Sequence, residues 1–424
     1  MWKFMGVIFA FVCPAVLPAF GSTLPRPPVL WQVHLGVPVY NTLRIRGNMV
    51  YLDSAQATGP NVFALKNGKV LWRFATRGMI PMAPTLGNIS VMNAMAGMPP
   101  MPGMKDTPQS AMNNTSMVFV ASDIGNTHFM RALNAVTGKW MWSYTRNKAP
   151  ECMCSHTSHF AGGLLFAQTD GHSLYAFQPP GNQSIMAHRI WQFPGDGTRL
   201  TATVLQAGIV VFGSADHSLY ALNARNGKVL WLAKTGYSFV ARPLIANNIV
   251  VVGNRGGTLH AYNLRTGRSL WSFSANGPIN SPAVARKGVV YFAAGQGDRG
   301  IYAVALKTGQ QVWNYQPADY TRFSPVLAGQ DLLVASRDGD LVALNAATGR
   351  RIWDHALHGT PFSRPQVDGR LVLLKVGDHT IAAFSLTTGR SKWVYRTSAV
   401  VTTPAVAKSM VCVGTSSGAV VALK

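Results

Sequence analysis

The chain reads as an all-β protein, a single closed β-propeller of eight or nine four-stranded blades of about 40 residues each. Three observations predict this. A Thr/Asn-Gly-x-x-x-Trp motif recurs along the chain, its spacing is nearly constant, and the segments between copies are short apolar runs rather than long amphipathic ones.

The motif first stands at Asn67-Gly68 with Trp72 and returns at Thr137-Gly138 with Trp142, Asn226-Gly227 with Trp231 and Thr266-Gly267 with Trp271. Thr308-Gly309 with Trp313, Thr348-Gly349 with Trp353 and Thr388-Gly389 with Trp393 follow. Trp191 ends a degenerate copy whose turn is Pro179-Pro180-Gly181-Asn182. From Trp191 onward the tryptophans are 40, 40, 42, 40 and 40 residues apart. Each unit repeats an apolar strand, a Gly/Asp turn, a strand such as Leu341-Val342-Ala343-Leu344, the Thr-Gly turn and a strand ending in Trp. Valine, isoleucine and aromatic enrichment with period-2 alternation marks strands. Glycine supplies the positive φ of a tight turn.

The last unit ends at Ala419–Lys424 and has no Trp strand, whereas Trp31 has no strands before it. Pairing the two would close the ring and remove its open edges.

Residues 1–21 read as a signal peptide. Lys3 precedes the apolar stretch Phe4–Leu17, and Ala19-Phe20-Gly21 fits small-x-small cleavage. The mature propeller is expected at 22–424, in the periplasm. No later segment is an apolar run of the about 20 residues that a transmembrane helix takes. Cys152, Cys154 and Cys412 would remain after cleavage, an odd number that does not make a disulfide framework. Cys412, within Met410-Val411-Cys412-Val413, reads as a buried core thiol.

The chain has 38 Lys+Arg against 15 Asp+Glu, and Glu151 is its only glutamate. The cations are spread rather than clustered, and an exported chain seldom meets nucleic acid, so no nucleic-acid partner is expected. A fold with few ionised carboxylates loses little when they protonate. The composition therefore points to an acidic exterior.

Ala132-Leu133-Asn134-Ala135-Val136-Thr137-Gly138 and Ala343-Leu344-Asn345-Ala346-Ala347-Thr348-Gly349, each followed by x-x-x-Trp, resemble the repeat of pyrroloquinoline-quinone (PQQ)-type propellers. The resemblance covers nearly all of the mature chain. That superfamily includes BamB-like outer-membrane assembly scaffolds, quinoprotein alcohol dehydrogenases and tetrathionate hydrolases. The repeat's usual Asp is mostly Asn here, at Asn134, Asn223, Asn263 and Asn345. The resemblance to quinoproteins implies adjacent cysteines and a calcium site of carboxylate and amide oxygens, but no Cys-Cys pair occurs. A bound PQQ is thus the less favoured expectation, and no catalytic acid maps onto a particular Asp.

The 70 residues between Trp72 and Trp142 break the period with an insertion at about 80–117. Met92, Met95, Met98, Met101 and Met104 stand there at every third residue among Pro99, Pro100 and Pro102. Polyproline-II geometry has three residues per turn, so it would align the five thioethers on one face. Thioether sulfur is a soft Cu(I) ligand and carries no proton to lose, so it still binds in acid. The next irregularity, Cys152-Met153-Cys154-Ser155-His156-Thr157-Ser158-His159, offers two thiols and two imidazoles. Cys152, Cys154, His156 and His159 are therefore further candidate metal ligands. Both segments enter neighbouring repeats and are expected to share one face of the ring.

Lys or Arg follows the turn glycine at Lys69, Lys139, Lys228, Arg268, Arg350 and Arg390. Repeat symmetry would gather these into a basic rim for a protein partner or an anionic surface. Asp170, Asp216, Asp338 and Asp378 recur at equivalent turns and read as turn formers. His34, His172, His217 and His260 have no partner at a catalytic spacing. The leading expectation is a periplasmic, non-catalytic binding or scaffold propeller with a Met-rich Cu(I) segment. The alternative is an enzyme, either a PQQ-dependent oxidoreductase or a tetrathionate-hydrolase-like protein.

Overall fold

A computed structural model describes residues 24–424 except 55, 57–58, 77, 79, 81–82, 90–114, 125–126, 147–158, 170–172, 179–187, 196 and 408–409. Its strands form nine four-stranded antiparallel sheets, so the eight-or-nine expectation resolves to nine blades. Blade I comprises Arg44–Arg46, Met49–Asp53, Val62–Lys66 and Lys69–Phe74, and blades II to VIII follow in chain order. The first strand of each blade is innermost, next to the first strands of its neighbours, and the Trp strand is outermost.

Blade IX closes the ring as the sequence implies. Val29–His34 pairs with the C-terminal strand Ala419–Leu423, placing Trp31 opposite Ala422. Nine apolar clusters form the core, each shared between two adjacent blades. The cluster of Leu35, Val50, Phe63, Cys412 and Val420 joins blade I to blade IX, so no interface is left open.

The repeated motif is an inter-blade lock. The Trp271 indole Nε1 donates to the Leu306 carbonyl of the next blade at 2.9 Å. Equivalent bonds link Trp72 to Ala135, Trp191 to Ala224, Trp231 to Leu264, Trp313 to Ala346 and Trp353 to Leu386. The turn glycine of the next blade closes over the same ring. Gly309 has φ +71°, and a Cβ there would lie 2.6 Å from the Trp271 ring. Within its own blade each Trp lies opposite a buried alanine, in register just before a bulge, as with Ala261 and Trp271. All nine blades repeat this pair, which leaves space for the indole.

The asparagine of the repeat builds the turn. Asn263 Oδ1 accepts from the amides of Arg265 and Thr266, at 3.0 and 3.1 Å. Asn134, Asn223 and Asn345 do the same. Asparagine makes this Asx turn with no charge, which lowers the carboxylate count without losing the turn.

Candidate functional site

The two ends of the ring differ. One carries the Thr-Gly turns and the turns from first to second strand. The other, called here the mouth, carries the connections from each outer strand into the next innermost strand and the turns from second to third strand.

Lys69, Lys139, Lys228, Arg268, Arg350 and Arg390 are all exposed on the Thr-Gly end. An aliphatic residue just before the Trp is exposed beside them in several blades, including Leu71, Leu230, Leu270, Val312 and Ile352. Strand alternation explains this outward row, since the buried Trp turns its sequence neighbour to solvent.

The mouth holds a different set of cations. Arg44 opens the innermost strand of blade I, opposite Tyr51 in register. Arg242 and Arg364 lie two residues before the innermost strands of blades V and VIII. These three blades are not neighbours, yet Arg364 interacts electrostatically with both Arg44 and Arg242. All three are exposed at this end of the ring. Although both side chains are exposed, partial desolvation by the surrounding protein lowers the pKa values of Arg44 and Arg242, with Asp53 opposing the shift on Arg44 and the Arg364 charge adding to both. Arg44 Nε also donates to the Pro84 carbonyl of blade II at 3.3 Å.

Asp53 lies two residues beyond Tyr51, the register partner of Arg44, toward the mouth. It ends the second strand of blade I, a register position held by Gly213, Gly253, Ala293, Ala335, Gly414 and Ala121 in six other blades. Gln168 and Lys375 fill it in the remaining two. Asp53 is 1% exposed; its Oδ2 accepts from Asn41 Nδ2 at 3.1 Å, and its Oδ1 is buried without a partner among the described residues. Desolvation pushes its pKa up to about 8, opposed by the Asn41 hydrogen bond and Arg44. Sequence reading passed over Asp53, although aligning the repeats would have shown a carboxyl where small residues prevail.

Other carboxylates near the mouth have local roles. Asp216 accepts from the Ser218 amide at 2.8 Å and the Tyr220 hydroxyl at 2.6 Å. Asp298 caps Asn276 and Gly300 and accepts from Tyr302, whose phenol is pushed up to about 12 by burial and by this carboxylate. Asp338 accepts from the Ser336 hydroxyl, and Asp378 pairs with Lys375 at 3.2 Å. The turn-former reading thus holds for Asp216, Asp338 and Asp378, while Asp170 lies outside the described residues.

Two clefts open at the mouth. One of about 330 Å3 lies between blades IV and V, beside Arg199, Arg255 and Phe239. The other, of about 240 Å3, lies between blades VI and VII beside Tyr320 and Arg322. It includes Ser281, whose buried hydroxyl has no partner among the described residues.

Met92, Met95, Met98, Met101, Met104, Cys152, Cys154 and His156 lie outside the described residues, as does the side chain of His159. Their flanking strands still correct one expectation. The methionine segment joins Thr85–Ile89 to Thr115–Ile124, the first and second strands of blade II. It therefore leaves from the Thr-Gly end. The Cys/His segment joins the outer strand Trp140–Arg146 to the innermost strand His159–Ala161, at the mouth. The two segments therefore enter neighbouring blades from opposite ends, and strand direction decides this. The first also narrows: Thr85–Ile89 is a blade strand, so the departure from the repeat begins after it. Among the described residues no cluster of His, Cys, Asp or Glu could hold a metal ion. Cys412 is fully buried, and desolvation pushes its thiol up to about 12, as expected of a core residue.

The family model described as outer membrane protein assembly factor BamB matches residues 187–324 and 301–424, together more than half of the chain. Among solved structures, BamB from Moraxella catarrhalis is similar at a TM-score of 0.55 and 15% identity, over 94% of this chain and 97% of its own. The computationally designed Ika8 protein is similar at a TM-score of 0.54 and 16% identity, over 93% and 99%. At these identities the likeness concerns the fold. No curated protein matches the chain. No helix among the described residues is long and apolar enough to cross a membrane.

Proposed function

Since the chain belongs to the PQQ-like propeller family of the outer membrane protein assembly factor BamB, we propose that it is an exported periplasmic scaffold that binds acidic partners through its Thr-Gly end. The observation that carries this reading is the exposed cation of the turn, repeated from blade to blade at one end of a closed ring. A field of one sign over a broad surface steers anionic partners and holds them in a salt-sensitive way. The scaffold needs no reaction at its centre. The test is binding of the mature protein to anionic-lipid vesicles and to immobilised polyglutamate. Replacing Lys228, Arg268 and Arg350 by Gln is expected to weaken both. Unchanged binding, or binding insensitive to salt, contradicts the reading.

The methionine segment adds a second binding function, capture of Cu(I) by the thioethers of Met92, Met95, Met98, Met101 and Met104. Cys152, Cys154, His156 and His159 form a separate proposed site, because their segment enters from the other end of the ring.

One observation favours a second reading, an acid-active hydrolase. Asp53 is a buried carboxyl kept protonated beside Arg44, the environment that perturbs a catalytic acid. Tetrathionate loss at acid pH that disappears in Asp53→Asn would support it. Equal turnover by Asp53→Asn would remove it.

A further inference from the structure

We infer that the cleft of about 240 Å3 between blades VI and VII binds a small hydroxylated carboxylate of hexuronic-acid size. This site lies at the mouth, apart from the Thr-Gly end, and needs no catalytic step.

The observation that carries it is a hydroxyl released from its place in the repeat. Three residues before the innermost strand, Thr201 of blade IV accepts from the Gly213 amide at 2.9 Å. Ser363 of blade VIII accepts from the Lys375 amide at 3.1 Å, and Thr402 of blade IX from the Gly414 amide at 3.0 Å. Ser281 and Ala293 are the corresponding pair in blade VI, by distance from the innermost strand and by register. Both line the cleft, yet Ser281 is 6% exposed and its hydroxyl makes no hydrogen bond among the described residues. A buried hydroxyl without a partner costs stability. A ligand in the cleft would supply that partner. The cleft between blades IV and V lacks this feature, because its Thr201 hydroxyl is already bonded.

The rest of the lining selects the ligand class. Arg322 supplies one guanidinium, Asn280 and Gln296 two amides and Tyr320 a phenol, and no carboxylate lines the cleft. None of these four side chains is spent on a hydrogen bond or ion pair among the described residues. Tyr320 is held in position from behind. Its amide donates to Asp319 Oδ1 at 2.8 Å, and Arg337, paired with Asp319 at 3.6 Å, sits 5.8 Å from its ring centre. A single guanidinium fork matches the two oxygens of one carboxylate. Amides and hydroxyls both donate and accept, which suits a ligand's own hydroxyl groups. The volume lies below the roughly 300–1,000 Å3 of pockets for drug-sized ligands, which favours one sugar ring over an oligomer.

The test is isothermal titration of the full mature protein with glucuronate and with glucose at low ionic strength. Glucuronate is expected to fill one saturable site, and glucose, which lacks the carboxylate, to bind at least roughly tenfold more weakly. Arg322→Gln is expected to weaken glucuronate binding by roughly tenfold and to leave glucose binding unchanged. Ser281→Ala is expected to weaken glucuronate binding by roughly fivefold while the unfolding temperature stays the same or rises, because the hydroxyl it removes bonds nothing in the fold. This variant also covers the case in which Arg322→Gln misfolds. Arg390→Gln removes an exposed cation at the Thr-Gly end and should leave the affinity unchanged. No saturable glucuronate binding by the native protein, equal affinity for glucose, native affinity in Arg322→Gln or Ser281→Ala, or an equal loss in Arg390→Gln would each overturn the site.

Discussion

At the Thr-Gly end the cations keep step with the blades. Lys228, Arg268, Arg350 and Arg390 each follow a turn glycine that covers a neighbouring indole. At the mouth Arg44 stands at a register that is apolar in most other blades, and Arg242 and Arg364 share one position, two residues before the innermost strand, in only two blades. The comparison teaches how to read a repeat protein. The indole, the turn glycine and the asparagine recur because they build the ring, the exposed turn cation recurs without being needed for that, and what breaks the period is a second place where selection for a ligand can be sought. Asp53 follows the same logic, standing at a register that glycine or alanine fills in six other blades.

The periodic side is broken most severely by removing a lock. Trp271→Ala deletes a buried indole, empties the space opposite Ala261 and leaves the Leu306 carbonyl without its donor. A loss of about 3–5 kcal/mol is expected in urea unfolding. A loss below about 1 kcal/mol would mean that the repeat tryptophan is not what joins the blades. Gly309→Ala attacks the other half of the lock. Its Cβ would meet the Trp271 ring in a backbone conformation that disfavours L side chains. About 1–3 kcal/mol is expected by the same measurement. Asn263→Ala loses two turn hydrogen bonds at an exposed site, about 1 kcal/mol, whereas Asn263→Asp should keep both.

The aperiodic side is sharpened by pH. Asp53 holds its proton in the folded chain up to about pH 8, while an unfolded aspartate releases it near pH 4. The folded state therefore binds more protons between those values, and this contribution to stability falls as pH rises from about 4 to about 8. Asp53→Asn should flatten that part of the profile, and an unchanged slope would refute the protonated state. His260 and His355 act the other way. Burial lowers both, so the stability tied to their neutral rings is lost as pH falls below about 6.5.

Much of the fold was legible because its determinants are local. Thr266-Gly267 and Trp271 sit within six residues, and their spacing shows in the chain itself. The orphan Trp31 and the truncated last unit implied the closure that pairs Trp31 with Ala422. The blade count stayed open because a Trp strand does not declare whether its three partners form a separate sheet. The mouth was not legible in the same way. Arg44, Arg242 and Arg364 are far apart in sequence and share one end of the ring only because strand direction places the start of each innermost strand there. Likewise, the methionine and Cys/His segments lie close in sequence but leave opposite ends, since the direction of a strand is a property of the sheet. Their ligand chemistry rests on residue type and spacing alone.

The separation of a periodic scaffold from aperiodic binding elements is tested most directly by deleting residues 90–114. The mature protein and the deletion are titrated with Cu(I) against a chromogenic chelator, and thermal unfolding is recorded for both. The deletion is expected to unfold at the native temperature and to lose thioether-bound Cu(I). Native Cu(I) binding after the deletion, or a ring that no longer folds without the segment, would contradict the account.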